Sequence, residues 1–452
     1  MTRAARIALV LTLGLAACTG EEQPELLAPT DRFYYPIGLA VAEDAGGAVV
    51  VASANFDLRY SPTEGGTLLS VDPATAPDHD LLTPLGEQRI ASYAGQVAVI
   101  GGSSCGGFHE ALVASRFDDV LYRFGVGLGL GPGLPEKGAL ACDAPTCRTH
   151  FSSSLRAPYP VAVACRKEGV TDRPLAFVGF LQTPESSSGS GEGGWIAELD
   201  FVTGAVRELE IGDGPVRSIA YDPGADRVWF ASRSSGSRAL LHTVQLSDAG
   251  WKGASPRSAV ETYDLFPSVR GAELKFVAIG SQQRLYVSAR LYDAEYQDSS
   301  GSRPEGSVGG VLIVLDVATG PSGLPVLTVH KVLNLGLGAG EVVAVPRVGM
   351  RDVVVATAAD ESLVVVYDDE LEAVTAVLGR DPLTGAPELG RTPMALAVDP
   401  TGAVLDATTS PPVLGPMVYV AGFGSHDVAM FSLDPAKPWA PVEVKRLGGV
   451  GP

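Results

Sequence analysis

The chain has 452 residues, of which 46% are hydrophobic and 19% are charged, and this composition is typical of a folded globular protein. It carries 52 acidic against 33 basic side chains, which gives a formal net charge of −19. Such a balance repels phosphate backbones, so we expect no nucleic-acid partner.

The first 17 residues have the pattern of an export signal. Two arginines precede an apolar stretch over residues 7–17, which is shorter than the roughly 20 residues that cross a bilayer and ends in two alanines. Leu-Ala-Ala-Cys at residues 15–18 resembles the bacterial lipobox. The resemblance implies that residues 1–17 are a lipoprotein signal peptide and that Cys18 becomes the lipid-modified first residue. An ordinary secretory signal that happens to contain a cysteine is the alternative.

Lipid on Cys18 would anchor the mature chain to a membrane of the cell envelope. Acyl chains such as palmitate anchor durably when two or more are attached, whereas one chain holds only marginally. Thr19, rather than aspartate, follows the cysteine, and by similarity to enterobacterial sorting this implies the outer membrane, on its periplasmic or its surface side. Residues 18–30 are then a lipidated tether, and residues 31–452 are the folded domain.

Related short segments recur along the rest of the chain and predict an all-β protein. Gly and Pro are abundant, at 54 and 33 residues, and long helical patterns are few. Seven apolar segments, named strands b, share one texture: residues 48–54 (AVVVASA), 110–116 (EALVASR), 175–180 (LAFVGF), 227–233 (RVWFASR), 284–290 (RLYVSAR), 352–358 (DVVVATA) and 417–423 (MVYVAGF). Each is followed by a second apolar strand c: residues 65–72, 118–126, 193–200, 238–248, 309–316, 362–369 and 427–434.

The repeating unit has two further strands. A strand a rich in Ala and Val precedes several strands b: residues 36–44, 160–166, 215–223, 340–346 and 393–400. A weaker outer strand d follows, as at residues 205–211 and 443–447. Such a unit cannot bury both faces alone, so its copies must stack, and closing them into a ring leaves only short edges. The sequence predicts a β-propeller, most simply with seven four-stranded blades; six blades with an atypical first unit stay open.

The last unit carries a family resemblance. Residues 393–400 (PMALAVDP) and 419–431 (YVAGFGSHDVAMF) resemble the YVTN-type, lactonase-like propeller repeat, with Ala421 and Gly422 in place of its Thr-Asn. The resemblance supports the propeller architecture. It also implies an alternative function, a lactonase-like hydrolase that uses polar residues at the mouth of the central channel.

Antiparallel strand order sorts the loops onto two faces. The b–c loops and d–a connections emerge on one face, which we name the loop face, and the a–b and c–d loops emerge on the opposite face. Long b–c loops at residues 55–64, 182–192 and 292–308, and the insertion 127–158 between blades 2 and 3, are expected on the loop face. Binding concentrates in loops on a rigid scaffold, which makes this face the candidate recognition surface. The alternative is that these Gly- and Ser-rich insertions are merely solvated and disordered. The ligand contacts predicted there are Asn55, Arg59, Tyr60, Tyr292, Asp293, Tyr296, Asp298, Arg303 and His426.

Four cysteines remain after Cys18, and an even number in an exported protein suggests two disulfides, for which three pairings exist. Cys105 lies in an a–b loop of blade 2, and Cys165 ends strand a of blade 3. Both should therefore reach the opposite face on neighbouring blades. We predict that Cys105 pairs with Cys165, and that Cys142 pairs with Cys147 in a small local loop.

Candidate chemical motifs are weak. Ser104 lies in a Gly-x-Ser-x-Gly pattern, which is also typical of a glycine-rich turn. Cys142, Cys147 and His150 are open to interpretation as part of a zinc site, but no second ligand pair completes it. Two acidic clusters suit a hard cation or a solvated loop: Asp78, His79 and Asp80, and Asp293, Glu295 and Asp298. We assign no catalytic residue, no metal and no cofactor.

These observations favour a non-catalytic, membrane-anchored binding or scaffold protein of the cell envelope. Its ligand is a protein, a glycan or a small molecule recognised on the loop face. The hydrolase is the alternative, and fold analogy alone supports it. Converging His, Arg and carboxylate side chains in the channel would favour the hydrolase, whereas an apolar channel would count against it.

Overall fold

The structure is a computed structural model. It describes residues 26–101, 105, 107–129, 135–142, 147–168, 171–184, 193–233, 238–247, 250–251, 260–266, 272–291, 309–379, 392–406 and 413–449. These residues form seven antiparallel sheets, each built from consecutive strands. The prediction of a seven-bladed β-propeller is confirmed.

Each blade has the strand order a, b, c, d from the channel outward. Strands a are β1 (Pro36–Ala42), β5 (Ala94–Ile100), β10 (Arg156–Glu168), β14 (Val216–Asp222), β19 (Ala272–Ile279), β23 (Ala339–Arg347) and β27 (Pro393–Asp406). Strands b are β2 (Ala48–Ser53), β6 (Glu110–Ser115), β11 (Thr171–Gln182), β15 (Arg227–Arg233), β20 (Arg284–Leu291), β24 (Met350–Ala358) and β28 (Val413–Gly422).

The outer half of each blade holds strands c and d. Strands c are β3 (Gly66–Val71), β7 (Val120–Val126), β12 (Gly193–Asp200), β16 (Ala239–Ser247), β21 (Gly309–Thr319), β25 (Leu363–Asp368) and β29 (Asp427–Ser432). Strands d are β4 (Gly86–Ile90), β8 (Leu140–Ala141) with β9 (Arg148–His150), β13 (Val206–Asp213), β17 (Gly250–Trp251) with β18 (Val260–Asp264), β22 (Pro325–Leu337), β26 (Ala373–Leu378) and β30 (Val442–Gly448). Within the described ranges, no helix has the length and apolar character needed to cross a membrane.

The core is divided into seven hydrophobic clusters, one between each pair of neighbouring blades. The apolar runs of strands b and c suit this arrangement, because each sheet is covered on both faces by its neighbours. Blades 1 and 7 each consist of their own four strands, so no strand is shared across the closure of the ring. The hydrophobic cluster between these blades closes it together with hydrogen bonds such as His79 N–H to Arg446 O at 2.9 Å. Phe33, Val51 and Tyr419 lie in that closing cluster and are at most 1% exposed.

A ring of seven alanines lines the innermost strands. In each blade, this alanine of strand a lies opposite a central residue of the neighbouring strand b. The strand b residue has a large side chain in most blades. Small side chains fit here because the seven strands a crowd around the central channel. The alanines are Ala40, Ala98, Ala162, Ala220, Ala278, Ala344 and Ala397.

Two inner strands escaped the sequence analysis, namely β5 and β19. Gln96 lies in β5, and Glu273 and Lys275 lie in β19. These polar side chains interrupt the Ala- and Val-rich pattern by which the other strands a were identified. Polar side chains also face the channel from two strands that the pattern did identify, namely Arg217 in β14 and Glu341 in β23.

The turn role predicted for the aspartates that end strands c holds at Asp200. Its Oδ1 accepts the backbone N–H groups of Val202 and Thr203 at 2.9 and 3.2 Å. Asp316 differs, because β21 continues past it to Thr319 and its Oδ1 accepts a hydrogen bond from Arg284 at 2.5 Å.

Both predicted disulfides are present. The Cα atoms of Cys105 and Cys165 are 5.0 Å apart, and those of Cys142 and Cys147 are 5.5 Å apart. The zinc interpretation of Cys142 and Cys147 is therefore wrong, since both sulfurs are bonded to each other.

The placement of the whole insertion 127–158 on the loop face is also wrong. Strands β8 and β9 both pair with β7 and together form the outer strand of blade 2. The chain therefore leaves β7 on the opposite face, and only the segment after β9 connects to blade 3. The second disulfide joins the two halves of this interrupted strand.

Candidate functional site

The channel opens on the loop face into a cavity of about 240 Å³, which we name the cup. Strands a begin and strands b end at this face, so residues of all seven blades line the cup. Its polar wall contains four cationic side chains, and its remaining wall is largely aromatic and aliphatic. The cations are Arg116, Arg217, Lys275 and Arg290.

A hydrogen bond crosses the channel just below the cup. Gln96 Nε2 on β5 donates to Glu341 Oε1 on β23 at 3.2 Å. These strands belong to blades 2 and 6, which are not neighbours, so the bond spans the channel. Glu341 Oε2 also accepts the N–H of Leu396, in blade 7, at 2.7 Å. The bond gives the cup a floor.

The floor carries little negative charge at neutral pH. Burial raises the pKa of Glu341 to about 8, although both of its hydrogen bonds oppose the shift. The carboxyl group is therefore largely protonated at pH 7.

Arg116 is fixed in the wall by aromatic rings. Its guanidinium carbon lies 5.7, 5.8 and 5.4 Å from the ring centres of Phe56, Tyr93 and Tyr159. Its Nε donates to the carbonyl oxygen of Tyr93 at 3.3 Å, and its buried Nη2 donates to no described residue. Burial lowers the pKa of Arg116, but a guanidinium stays charged at neutral pH.

Two of the other three cations flank one buried carboxylate. Lys275 Nζ lies 2.9 Å from one oxygen of Glu273, and Arg217 Nε lies 3.6 Å from the other. Arg290 Nε donates to the carbonyl oxygen of Ala339 at 3.4 Å. Burial, reinforced by Arg290 and Arg217, lowers the pKa of Lys275 to about 8 against the opposing effect of Glu273.

The cup therefore holds an excess of positive charge within an acidic chain. Four cations face Glu273 and a largely protonated Glu341, and Asp360 is a half-exposed carboxylate 4.0 Å from Arg290. Burying cations without matching anions is costly, so the arrangement favours an anion from solution.

A larger cavity of about 690 Å³ opens on the opposite face between blades 4 and 5. Its arginines already have acidic partners. Arg227 is 3.3 Å from Glu261, and Arg284 is 2.5 Å from Asp316 and 3.1 Å from Asp369. The cup, with its unmatched cations, is the stronger candidate.

The predicted contacts in the first b–c loop have different surroundings. Asn55 is fully buried, where its amide donates to Tyr60 O at 2.8 Å and to Ser92 Oγ at 3.0 Å. The Arg59 side chain is 52% exposed and lies over the ring of Tyr34, which also contacts Tyr60 edge-on. Asn55 thus fixes the loop, and ligand contact by Arg59 and Tyr60 stays a prediction.

His426 lies where the ring closes. Its Nδ1 accepts the N–H of Tyr35 at 3.0 Å, and its ring stacks on Tyr34 with centres 5.3 Å apart. Burial lowers the pKa of His426, so the imidazole is neutral at pH 7. The residue joins blade 7 to the segment before blade 1, and a ligand role stays a prediction.

Several other candidates lie outside the described residues: Tyr292, Asp293, Glu295, Tyr296, Asp298, Arg303 and Ser104. Asp78 Oδ1 accepts the N–H of Arg446 at 2.9 Å and so helps to close the ring. In the part of the chain that the structure describes, no three His, Cys, Asp or Glu side chains are placed to hold a metal ion.

Sequence reasoning missed all four cup cations. One signal was present, because three of the seven b segments end in Ser-Arg or Ala-Arg, at Arg116, Arg233 and Arg290, and strands b end at the loop face. Two of these three arginines are cup cations. Lys275 lies in β19, which was not predicted.

Comparisons with known proteins support the fold and indicate no particular activity. No protein-family model matches the sequence, and no curated protein matches it. Among solved structures, the chain is similar to Kuenenia stuttgartiensis hydrazine synthase, with a TM-score of 0.54, 10% sequence identity and coverage of 92% of this chain and 99% of that chain. At this identity the likeness shows the fold alone.

Proposed function

We propose that the protein is a lipid-anchored β-propeller of the cell envelope that binds a negatively charged ligand in the cup without transforming it. One observation carries the binding proposal: four cations converge on a floored cavity in a chain of net charge −19. The loop-face location agrees with the expectation that recognition occurs there.

The proposed anchor limits where the cup can lie. Leu26 O accepts the N–H of Ser61, in a loop of blade 1 on the loop face, at 2.9 Å. Leu26 lies eight residues after Cys18, and a fully extended chain over eight residue steps reaches at most about 28 Å. A lipid on Cys18 would thus hold the loop-face rim of blade 1 close to the membrane.

The anchoring is tested by replacing Cys18 with Ser in the full chain. We expect the wild type in the membrane fraction, with processing blocked by globomycin, and the variant in the soluble fraction. Globomycin-insensitive processing of the wild type would contradict the anchor alone.

The binding is tested by native mass spectrometry of the full chain, purified from the envelope in detergent. We expect the protein purified from the envelope to retain a small anion that the double variant Arg217→Gln, Arg290→Gln loses. Arg156→Gln is the matched control, because this arginine lies at the same face with a side chain 65% exposed. Equal retention by the double variant would contradict binding in the cup.

A second candidate is the lactonase-like hydrolase. It is favoured by Lys275 and Glu341, two groups at the cup whose pKa values of about 8 suit proton transfer near neutral pH. A lactone-hydrolysis assay decides between the two functions. Lactone turnover that Glu341→Gln abolishes would favour the hydrolase and overturn the binding proposal. Absence of turnover, together with a retained ligand, would support the binding proposal.

A further inference from the structure

We propose that the ligand of the cup is a small organic di- or tricarboxylate. This inference rests on the proposed function and names the chemical class that the same site takes. It follows from the kind of cation, the size of the cup, the number of charges and the apolar part of the wall.

Arg116 presents the geometry that recognises a planar oxyanion. Aromatic rings hold the guanidinium in the wall of the cup, and its Nε donates to the Tyr93 carbonyl, so Arg116 meets a ligand through the part of the guanidinium that lines the cup. Arginine donors match carboxylates in a bidentate fork, whereas lysine acts as a point charge. Three of the four cations are arginines.

The volume of the cup sets the size of the ligand. The cup measures about 240 Å³, and an apolar cavity of roughly 150 Å³ is known to hold benzene. A compound with a carbon skeleton of a few atoms and two or three carboxylates fits this space. Of a polymer, only one end would fit into the cup.

The charge of the wall requires more than one negative group. Glu273 is shared by Lys275 and Arg217, so it offsets only part of their charge. Arg116 and Arg290 contribute two further cations, with Asp360 only at 4.0 Å from Arg290. A monocarboxylate would leave most of this excess in place, whereas a di- or tricarboxylate matches it.

The apolar wall favours an organic anion over a bare inorganic one. Ile37, Phe276 and Met394 line the cup beside the cations. These side chains gain from contact with carbon atoms and offer nothing to the hydration shell of inorganic phosphate.

The test is isothermal titration calorimetry of residues 19–452 with citrate, succinate, acetate and inorganic phosphate as probes. We expect citrate and succinate to bind at least about tenfold more tightly than acetate or phosphate, because each added charge-assisted hydrogen bond contributes roughly that factor. Arg290→Gln should weaken citrate binding about tenfold, and Arg156→Gln should leave it unchanged.

Other outcomes overturn the inference in distinguishable ways. Phosphate binding as tightly as citrate would show a general anion site, and acetate doing so would remove the requirement for several charges. If no probe binds while the envelope-purified protein still retains a cup-dependent ligand, the carboxylate class is wrong and the proposed function stands. If neither probe nor retained ligand is found, both proposals fail.

Discussion

The two ends of the same channel-bearing ring use arginine in opposite ways. On the opposite face, arginines are matched by aspartates: Arg173 with Asp200 at 2.9 Å, and Arg347 with Asp368 at 2.5 Å, all at most 10% exposed. At the cup, the cations outnumber the carboxylates that face them. Matched pairs hold strands together, whereas an unmatched group keeps its interaction available for a ligand.

The opposite face is also joined covalently, and this gives the largest expected effect. The Cys105–Cys165 disulfide closes a loop with a sequence separation of 60, and that of Cys142–Cys147 is 5. Replacing the first pair with serine should lower the free energy of unfolding by about 4 kcal/mol, and replacing the second by about 2 kcal/mol, because longer loops constrain the unfolded chain more. Denaturant titration measures both, and equal losses would contradict the account.

The buried ion pairs of the opposite face come next. Arg284 is 2% exposed and lies 3.1 Å from Asp369, which has no exposed surface and accepts a hydrogen bond from Tyr286 at 3.1 Å. Arg284→Met should lower the free energy of unfolding by about 3 kcal/mol, because a buried carboxylate loses its counter-charge. The exposed Arg238 is the control, and Arg238→Met should stay within about 0.5 kcal/mol of the wild type.

Removing a cation from the cup should instead leave the free energy of unfolding nearly unchanged and weaken ligand binding. Arg290→Gln should change the free energy of unfolding by less than about 0.5 kcal/mol, since it removes a cation from an unbalanced group, while it weakens anion binding. A loss above about 2 kcal/mol would mean that the cup cations serve the fold. The proposed difference between the arginines of the two faces would then be wrong.

The smallest expected effect is on pH dependence. Lys275 and Glu341 both have pKa values of about 8. As pH rises through 8, Lys275 loses its positive charge and Glu341 gains a negative one, so citrate affinity should fall between pH 7 and 9. Lys275→Arg combined with Glu341→Gln should flatten the profile, as followed by calorimetry. An unchanged profile in the double variant would assign the dependence to other groups.

Stability should respond to Glu341 in a defined direction. A carboxyl group whose folded pKa is raised holds its proton more tightly in the native state, so stability falls as pH rises from the unfolded value, near 4.5, to about 8. Glu341→Gln should therefore lose less thermal stability than the wild type over that range, measured by Tm at pH 5 and pH 8.

The propeller was readable from the sequence because its blades repeat. Continuous Val and Ile in strands b and c, and turn residues between them, marked most strands to within a few residues. The pairing of Cys105 with Cys165 followed from the face on which each lies. These features depend on local pattern and on strand direction alone.

The cup was not readable, for two reasons. Its cations come from blades 2, 4 and 5, and only the packing of these blades around the channel brings them together. Glu273 and Lys275 also break the small, apolar pattern used to predict strands a. The pattern therefore missed β19, the strand that contributes both of these charged residues to the cup. Local rules fail most often at such functional positions.

The central claim is that the cup is a floored, cationic site for a small polycarboxylate. A crystal structure of residues 19–452 with citrate tests it directly. The account predicts citrate carboxylates against Arg116 and Arg290, above an intact hydrogen bond between Gln96 and Glu341. An empty cup, or a channel open past Glu341, would contradict it.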